Sequence, residues 1–368
     1  MASLNLISET LYEYGVDLIS VLQSSFPDSE SFFMDVSKVF DPKYVFTVYF
    51  PLAFGLKWAL GAQLLGTVIV VEWLNQVLKW LMRGDRPYWW VHEIHQANGT
   101  SVGGHWNSVP DILQFPSTCE TGPGTPSGHS MAMSAVWYVI THSVVQQLSA
   151  SSEWLSAAGR RRATLALWTV FAVFQVLVIT SRIYIAAHFP HQCVLGLYLG
   201  VATAKKVYGS TKWLAMSRAQ WLLTASLIVA TALSTYWLLL VSGSDPAWSI
   251  RHAYKWCARR EYIHVDTTPF YSMVRYSGAA FGLGLGLSSS RFTSLDRSRF
   301  RALHVAATVV LGLALGAAAD RAHTLIPKAD ATTFYALELA LNVALPYSVI
   351  ALVPSAVNSL ASAKAKSS

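Results

Sequence analysis

Three short stretches of this 368-residue chain carry side chains able to hold an anion and move a proton beside it. The first is Lys79-Trp-Leu-Met-Arg83-Gly-Asp-Arg86-Pro87, with three cations at the end of a long apolar run. A second, Cys119-Glu-Thr-Gly-Pro-Gly-Thr-Pro126-Ser127-Gly128-His129-Ser130, leads straight into another such run, and the third is Ser181-Arg182-Ile-Tyr-Ile-Ala-Ala-His188-Phe-Pro190-His191-Gln192. Fixed guanidiniums, a lysine, helix-start amides and two imidazoles are what a site needs to bind a phosphate dianion and transfer it without a metal.

The local spacing says how each stretch can present its groups. Glu72, Asn75, Gln76, Lys79 and Arg83 recur at three- and four-residue steps, so a helix gathers them into one polar stripe, which must face a protein interior or a wet cavity rather than lipid. Gly84 and Pro87 predict that this helix unwinds just before Arg86. The competing reading is a set of cations snorkelling at an interface beside an aromatic belt of Tyr88, Trp89 and Trp90, and Arg83 fits that role best. Ser127 is a plausible N-cap, and Gly128 allows close approach of backbone amides to an anion. Arg182 and His188 lie about 120° apart on a continuous helix, so they converge only if the chain turns between them, with Pro190 opening the next helix.

The elements that must position these groups are apolar. The chain is 53% hydrophobic and only 13% charged, against about a quarter charged in soluble domains. Runs near 32–55, 59–82, 128–149, 164–181, 187–206, 219–242, 268–289, 304–324 and 333–355 each approach the ~20 residues that cross a bilayer, which predicts an all-α, polytopic membrane protein with about nine transmembrane helices. Met1–Asp28 has no Lys or Arg, so it does not read as a cleavable signal peptide. The net charge of +7 is spread over short loops, which argues against nucleic acid. Arg160–Arg162, the Lys205–Arg218 group, the Arg291–Arg301 group and Lys364/Lys366 follow alternate runs, so the positive-inside rule predicts a cytosolic C-terminus and a lumenal N-terminus. The loop 243–267 resists, since it should be lumenal yet holds Arg251, Lys255, Arg259 and Arg260. All three stretches above fall on the lumenal side, as does the sequon Asn98-Gly99-Thr100, a glycosylation candidate. A single membrane domain over 1–357 and a short basic tail over 358–368 are expected, the tail resembling a dilysine retrieval signal to the endoplasmic reticulum. Of three cysteines, Cys119 and Cys257 could be bridged if both face an oxidising lumen.

Taken in order, Lys79-x6-Arg86-Pro87, Pro126-Ser127-Gly128-His129 and Ser181-Arg182-x5-His188 resemble the three motifs of the type 2 phosphatidic-acid phosphatase and vanadium haloperoxidase superfamily. The wider strings Arg86-Pro-Tyr-Trp-Trp90, Cys119-Glu-Thr-Gly-Pro-Gly124, Ala187-His-Phe-Pro-His-Gln192 and His264-Val-Asp-Thr-Thr-Pro-Phe270 resemble the glucose-6-phosphatase catalytic subunit family. Asp41-Pro-Lys43 and Gly84-Asp85 lean towards one branch of that family, and Arg86-Pro-Tyr88 with Asp266-Thr-Thr268 towards the other, so liver-type and ubiquitous forms are not separated.

The resemblance implies a phosphatidic-acid phosphatase type 2-like helical core and hydrolysis of glucose 6-phosphate in the endoplasmic reticulum lumen, the terminal step of gluconeogenesis and glycogenolysis. It makes His188 the nucleophile that forms a phosphohistidine, His129 the general acid and base, and Lys79, Arg86, Ser127, Gly128 and Arg182 the phosphate cradle. No metal or cofactor is implied, and a glucose-6-phosphate transporter in the same membrane is a conceivable partner. Where the superfamily has an aspartate four residues after the nucleophile, this chain has Gln192, which can accept a hydrogen bond but cannot supply charge; Glu72, Asp41 or Glu120 are the candidates for that. His191 is a weaker rival to His188. His92-Glu-Ile-His95 lacks one residue of the zinc-protease motif and reads as loop, and His264 and Asp266 line a sugar pocket or pin a loop. Gly282-Leu-Gly-Leu-Gly286 reads as close helix packing rather than a dinucleotide loop. A relative acting on another sugar phosphate or a lipid phosphate, and a non-catalytic phosphate-binding or transport protein, are the alternatives.

Overall fold

A computed structural model describes residues 2–98, 110–150, 156–295 and 302–367. Among them every named element is helical. In chain order these are α1 (Ala2–Ser25), α2 (Glu30–Val39), α3 (Phe50–Leu56), α4 (Trp58–Met82), α5 (Pro87–Asn98), α6 (Gly128–Ala150), α7 (Ala157–Tyr184), α8 (Pro190–Tyr208), α9 (Arg218–Val241), α10 (Trp248–Trp256), α11 (Pro269–Leu287), α12 (Ser290–Thr293), α13 (Ala302–Leu325), α14 (Ala331–Tyr347) and α15 (Val353–Ser367).

Among the described residues five stretches are long and apolar enough to cross a membrane: Trp58–Gln96, Ala157–Tyr184, Arg218–Val241, Ala302–Leu325 and Ala331–Leu360. The structure corrects the reading of 32–55 as one span. Lys43 N–H donates to Asp41 Oδ1 at 2.8 Å and Tyr44 N–H to the Asp41 carbonyl at 3.1 Å, a turn that separates α2 from a π-helical turn, Val45–Tyr49, leading into α3. Uniform hydropathy hides this break, although Pro42 marks a place where a helix kinks or breaks. Near the other end Pro346 lies inside α14 and is followed by a second π turn, Ser348–Leu352; a proline removes one helical donor, and the widened turn absorbs the misfit. The tail beyond 357 continues as the last turns of α15.

The catalytic candidates hang on how α6 meets α8. Both helices start at the same end of the bundle, where Ser127 N–H donates to the Gln192 carbonyl at 3.1 Å. They cross through Gly196-x3-Gly200. A β-carbon at 196 would lie 2.7 Å from the Ser127 carbonyl oxygen, and one at 200 would lie 2.2 Å from that of Met131. Such small residues let backbones approach where lipid offers no hydrophobic drive for association. Ser134 Oγ adds a bond across the seam to the Leu197 carbonyl at 3.3 Å. α4 and α7 end where α6 and α8 begin, so Arg160–Arg162 at the start of α7 lie at the opposite end of the bundle from Arg182 near its finish.

Replacing Gly200 with leucine should therefore force α6 and α8 apart. We expect loss of folded protein or a fall in thermal stability of about 1–3 kcal/mol equivalent, read by size-exclusion profile and melting temperature, whereas Gly243→Ala, which meets no atom within 4 Å, should cost far less despite its positive φ.

Candidate active site

α4 ends as its sequence suggests it should. Arg83 takes a left-handed conformation at φ 49°, its N–H closing on the Lys79 carbonyl, and the chain runs unwound to Pro87. Gly84 permits the next contact: its carbonyl accepts the Gly124 N–H at 2.7 Å, and a β-carbon at 84 would sit 1.9 Å from Thr125 Oγ1. The loop before α6 is thereby pressed against the end of α4. Its carbonyls receive the cations, with Arg86 Nε donating to Gly122 at 2.7 Å, Arg86 Nη2 to Pro123 at 3.2 Å, and Lys79 Nζ also to Pro123.

The turn after α7 brings the third stretch in. Ala186 adopts φ 53°, and the N–H groups of Ala187 and His188 both point back at the Arg182 carbonyl, at 3.1 and 3.3 Å. This reversal closes the 120° gap. The turn is fixed to the loop by Thr118 Oγ1, which donates to the Ile185 carbonyl at 2.6 Å.

Glu120 stands where the stretches meet. Its carboxylate is 2.9 Å from Arg86 Nη2, bonded to Arg182 Nη2, 3.5 Å from His129 Nδ1 and 3.6 Å from His188 Nε2. Arg86 and Arg182 are only 1% exposed and His188 not at all. Burial alone would raise the Glu120 carboxyl, but the guanidiniums of Arg182 and Arg86 outweigh it and hold the group well below the usual carboxylate range. Of the three acids considered for supplying charge to His188, only Glu120 comes near the ring, and it does so on the Nε2 side rather than at Nδ1. Glu72 is held by a bidentate Arg275, at 2.8 and 3.1 Å, and Asp41 caps its own turn.

His188 lies in the connection before α8, and its ring is oriented by acceptors. Nδ1 is 2.9 Å from the Gly124 carbonyl and 3.2 Å from Gln192 Oε1, so the network assigns the proton to Nδ1. Nε2 is 3.2 Å from Arg86 Nη1, which can only donate, so Nε2 is unprotonated and its lone pair accepts from the guanidinium. Burial first, then the Arg86 charge, push the imidazole pKa down to about 3, so the ring is neutral near neutral pH. Gln192 is itself locked, its Oε1 accepting from Phe189 N–H at 3.2 Å and its Nε2 donating to the Asp85 carbonyl at 2.6 Å. Ser127 sits buried before α6 with its Oγ 3.5 Å from the Ser130 N–H. Gly128 and His129, the first two residues of α6, line a chamber of about 270 Å³ together with Lys79 and Glu120.

Other sequence readings fall elsewhere. Tyr88, Trp89 and Trp90 are not an interfacial belt: all three are buried, packed with Val16, Phe189 and Ala253. Arg83 reaches the Asp245 carbonyl at 3.3 Å and lies over the Trp248 ring, rather than snorkelling free. His92-Glu-Ile-His95 is part of helix α5 and not a loop; His92 stacks on Trp256 and Glu93 pairs with His252 at 3.0 Å. His191 stacks on Phe189 outside the site. His264 bonds the Pro116 carbonyl at 2.7 Å and pins the loop, while Asp266 lines the chamber. Gly282 and Gly286 meet α14 and Ile350 closely, as packing glycines should. Cys119 and Cys257 are bridged, and Cys193 is free and buried. Asn98 is the last residue of α5, and the rest of its sequon, Gly99-Thr100, lies outside the described residues. No group of three or more His, Cys, Asp or Glu that could hold a metal ion occurs among the described residues.

What sequence reasoning underrates is Glu120, and it misses the chamber's far wall, Tyr271, His323 and Glu338. Acidic and histidine residues inside otherwise apolar runs were the available signal for the latter.

Comparison with known proteins places this arrangement. Residues 60–216, which contain all three stretches, match the PAP2 superfamily. The chain is 36% identical to human glucose-6-phosphatase 2 over 97% of its own length and 99% of that protein. It is 35% identical to the dog glucose-6-phosphatase catalytic subunit 1 over 94% of each chain, and 38% identical to the cat protein of the same name over 77% of this chain and 76% of that one. No solved structure matches it. With such identity along nearly its whole length, the chain belongs to the glucose-6-phosphatase family of the PAP2 superfamily.

Proposed function

We propose that this protein is a membrane-embedded phosphatase that hydrolyses glucose 6-phosphate to glucose and inorganic phosphate through a phosphohistidine on His188. The observation that carries the reading is the lone pair of His188 Nε2, aimed at a seat that two buried guanidiniums surround and a carboxylate now fills. A carboxylate is an anion with two oxygens in the place a phosphate would present three. Substrate phosphate takes that seat as Glu120 gives way. Nε2 attacks phosphorus, the ester bond to the sugar oxygen breaks, and His129 donates a proton to the departing oxygen. His129 then removes a proton from water, which attacks the phosphohistidine and releases phosphate. Arg86, Arg182, Lys79 and the Gly128 N–H neutralise the equatorial oxygens, which is the larger part of catalysis when little covalent work falls to the protein. The chamber beyond the seat carries Asp266, Arg275 and Glu338, a wall suited to a sugar rather than an acyl chain.

The runs that form α6, α8 and α11 add three crossings to the five long stretches, and a ninth requires α2, the π turn and α3 to cross together as one broken path. Basic residues at the starts of α7 and α9 and the end of α8 support a cytosolic face opposite the site. The Cys119–Cys257 bridge at the site end supports an oxidising compartment there, the endoplasmic reticulum lumen, with Asn98 as the glycan acceptor on that side. Substrate made in the cytosol then has to be delivered by a transporter in the same membrane, and release of free glucose makes this the last reaction of gluconeogenesis and glycogenolysis.

His188→Ala should abolish glucose 6-phosphate turnover, and His129→Ala should lower it by about 10²–10⁴-fold. Acid-labile, alkali-stable label from phosphate-labelled substrate should appear on the wild-type chain and not on His188→Ala. Full activity in the latter variant would refute the mechanism. Because fixed cations do the charge stabilisation, turnover should survive excess chelator; strict dependence on an added divalent ion would count against it.

Glu120→Ala should destabilise the protein by about 3–5 kcal/mol, since it strands two buried guanidiniums. Inorganic phosphate should restore more melting temperature to that variant than it adds to the wild type. Equal shifts in both would show that carboxylate and phosphate do not share a seat.

A further inference from the structure

The chamber that begins at Lys79, Glu120 and His129 does not end with the sugar-phosphate bond. Its far wall lies where α11, α13 and α14 meet, and there Glu338 is 1% exposed. Its Oε2 accepts from His323 Nδ1 at 2.6 Å and from the Tyr271 hydroxyl at 3.3 Å. Asn342, one turn along α14, donates its Nδ2 to the Glu338 carbonyl at 2.8 Å, which leaves its side-chain oxygen as a further acceptor at the chamber wall.

A carboxylate and an imidazole inside a helix bundle are costly, and residues of this kind within apolar spans mark polar pathways or polar ligands. Nothing in phosphoryl transfer requires these two, because Arg86, Arg182 and Lys79 already match the phosphate charge. Nor are they needed to neutralise Arg275 on the same wall, which Glu72 holds. What they offer is an array of acceptors: Glu338 Oε1, the Asn342 side-chain oxygen, His323 Nε2 and the Tyr271 hydroxyl oxygen, the protons of His323 Nδ1 and of Tyr271 both going to Glu338 Oε2. Tyr271 also stacks with Phe334, centroids 5.9 Å apart at 27°, so the array has an aromatic floor. Vicinal hydroxyls, each able to donate a proton to one of these acceptors, are the chemistry that matches such a wall.

We infer that Glu338, His323 and Tyr271 form the hydroxyl-reading end of the chamber and set the preference for a polyol phosphate ester over one without hydroxyls. The inference rests on the function proposed above and adds the residues that select the alcohol part of the substrate. All three are specificity-determining rather than catalytic, because none contacts the phosphate seat.

The test uses the purified full chain in lipid nanodiscs, with glucose 6-phosphate and 4-nitrophenyl phosphate as the two esters. Glu338→Gln and Tyr271→Phe keep shape while changing the hydrogen-bonding groups, and His323→Ala removes the partner. We expect kcat/KM for glucose 6-phosphate to fall by about tenfold or more, mainly through KM, because a site with an unpaired polar group discriminates strongly. On 4-nitrophenyl phosphate each variant should stay within about twofold of wild type, a readout that a merely structural loss would drag down in parallel. Parallel losses on both esters, or an unchanged ratio between them, overturn the subsite while leaving the phosphatase intact. Absence of glucose 6-phosphate turnover in the wild type, with 4-nitrophenyl phosphate still cleaved, overturns the proposed substrate and the subsite with it.

Discussion

Two guanidiniums almost wholly out of solvent have to be neutralised inside the protein, and the rest of this structure is arranged around the carboxylate that does so. Glu120 lies between Arg86, at the end of α4, and Arg182, at the end of α7. An ion cluster of this kind returns little net stability for its desolvation cost. Its value is positional: a carboxylate that both arginines must reach fixes the distance between two helix ends, and the imidazoles at the starts of α6 and α8 fall on either side of it. Ser37 completes the frame by accepting from Arg182 Nη1 at 2.6 Å, so the last turn of α2 is tied to the same cluster.

Around that seat, the backbone does most of the holding. The cations are met by the carbonyls of Gly122, Pro123 and Ala187, and His188 by that of Gly124. Carbonyl dipoles can orient a guanidinium without neutralising it. The cluster therefore keeps net positive character. Gly84 and Gly124 make this possible, because at either position a β-carbon would collide with the opposing segment.

Much of this was legible in the residues. Gly84, Pro87 and Pro190 mark where helices stop and start, Ser127 marks a cap, and the six-residue gap between Arg182 and His188 requires the reversal seen at Ala186. What was not legible depends on tertiary partners. Glu120 is one acid in a loop until three distant segments converge on it. Tyr88, Trp89 and Trp90 read equally well as an interfacial belt, and only the packing of α5 against α1 and α10 buries them. Likewise Glu338 and His323 are fifteen residues apart on separate helices, and sequence periodicity carries no information about which helices become neighbours. The run 32–55 shows the converse, in which composition averaged over a window conceals a turn that a single proline marks.

The stretch that matches the superfamily ends at residue 216, but the loop bearing Glu120 is finished by residues that follow it. Cys119 is bridged to Cys257, its carbonyl accepts the His264 N–H at 3.0 Å, Thr121 N–H donates to Thr267 Oγ1 at 2.9 Å, and Ser249 Oγ donates to the Thr121 carbonyl at 2.9 Å. A nascent chain halted after the matched stretch would own every motif yet lack the clasp that seats its central acid. The fastening of the central acid thus belongs to a part of the polypeptide that lies beyond the shared motif region.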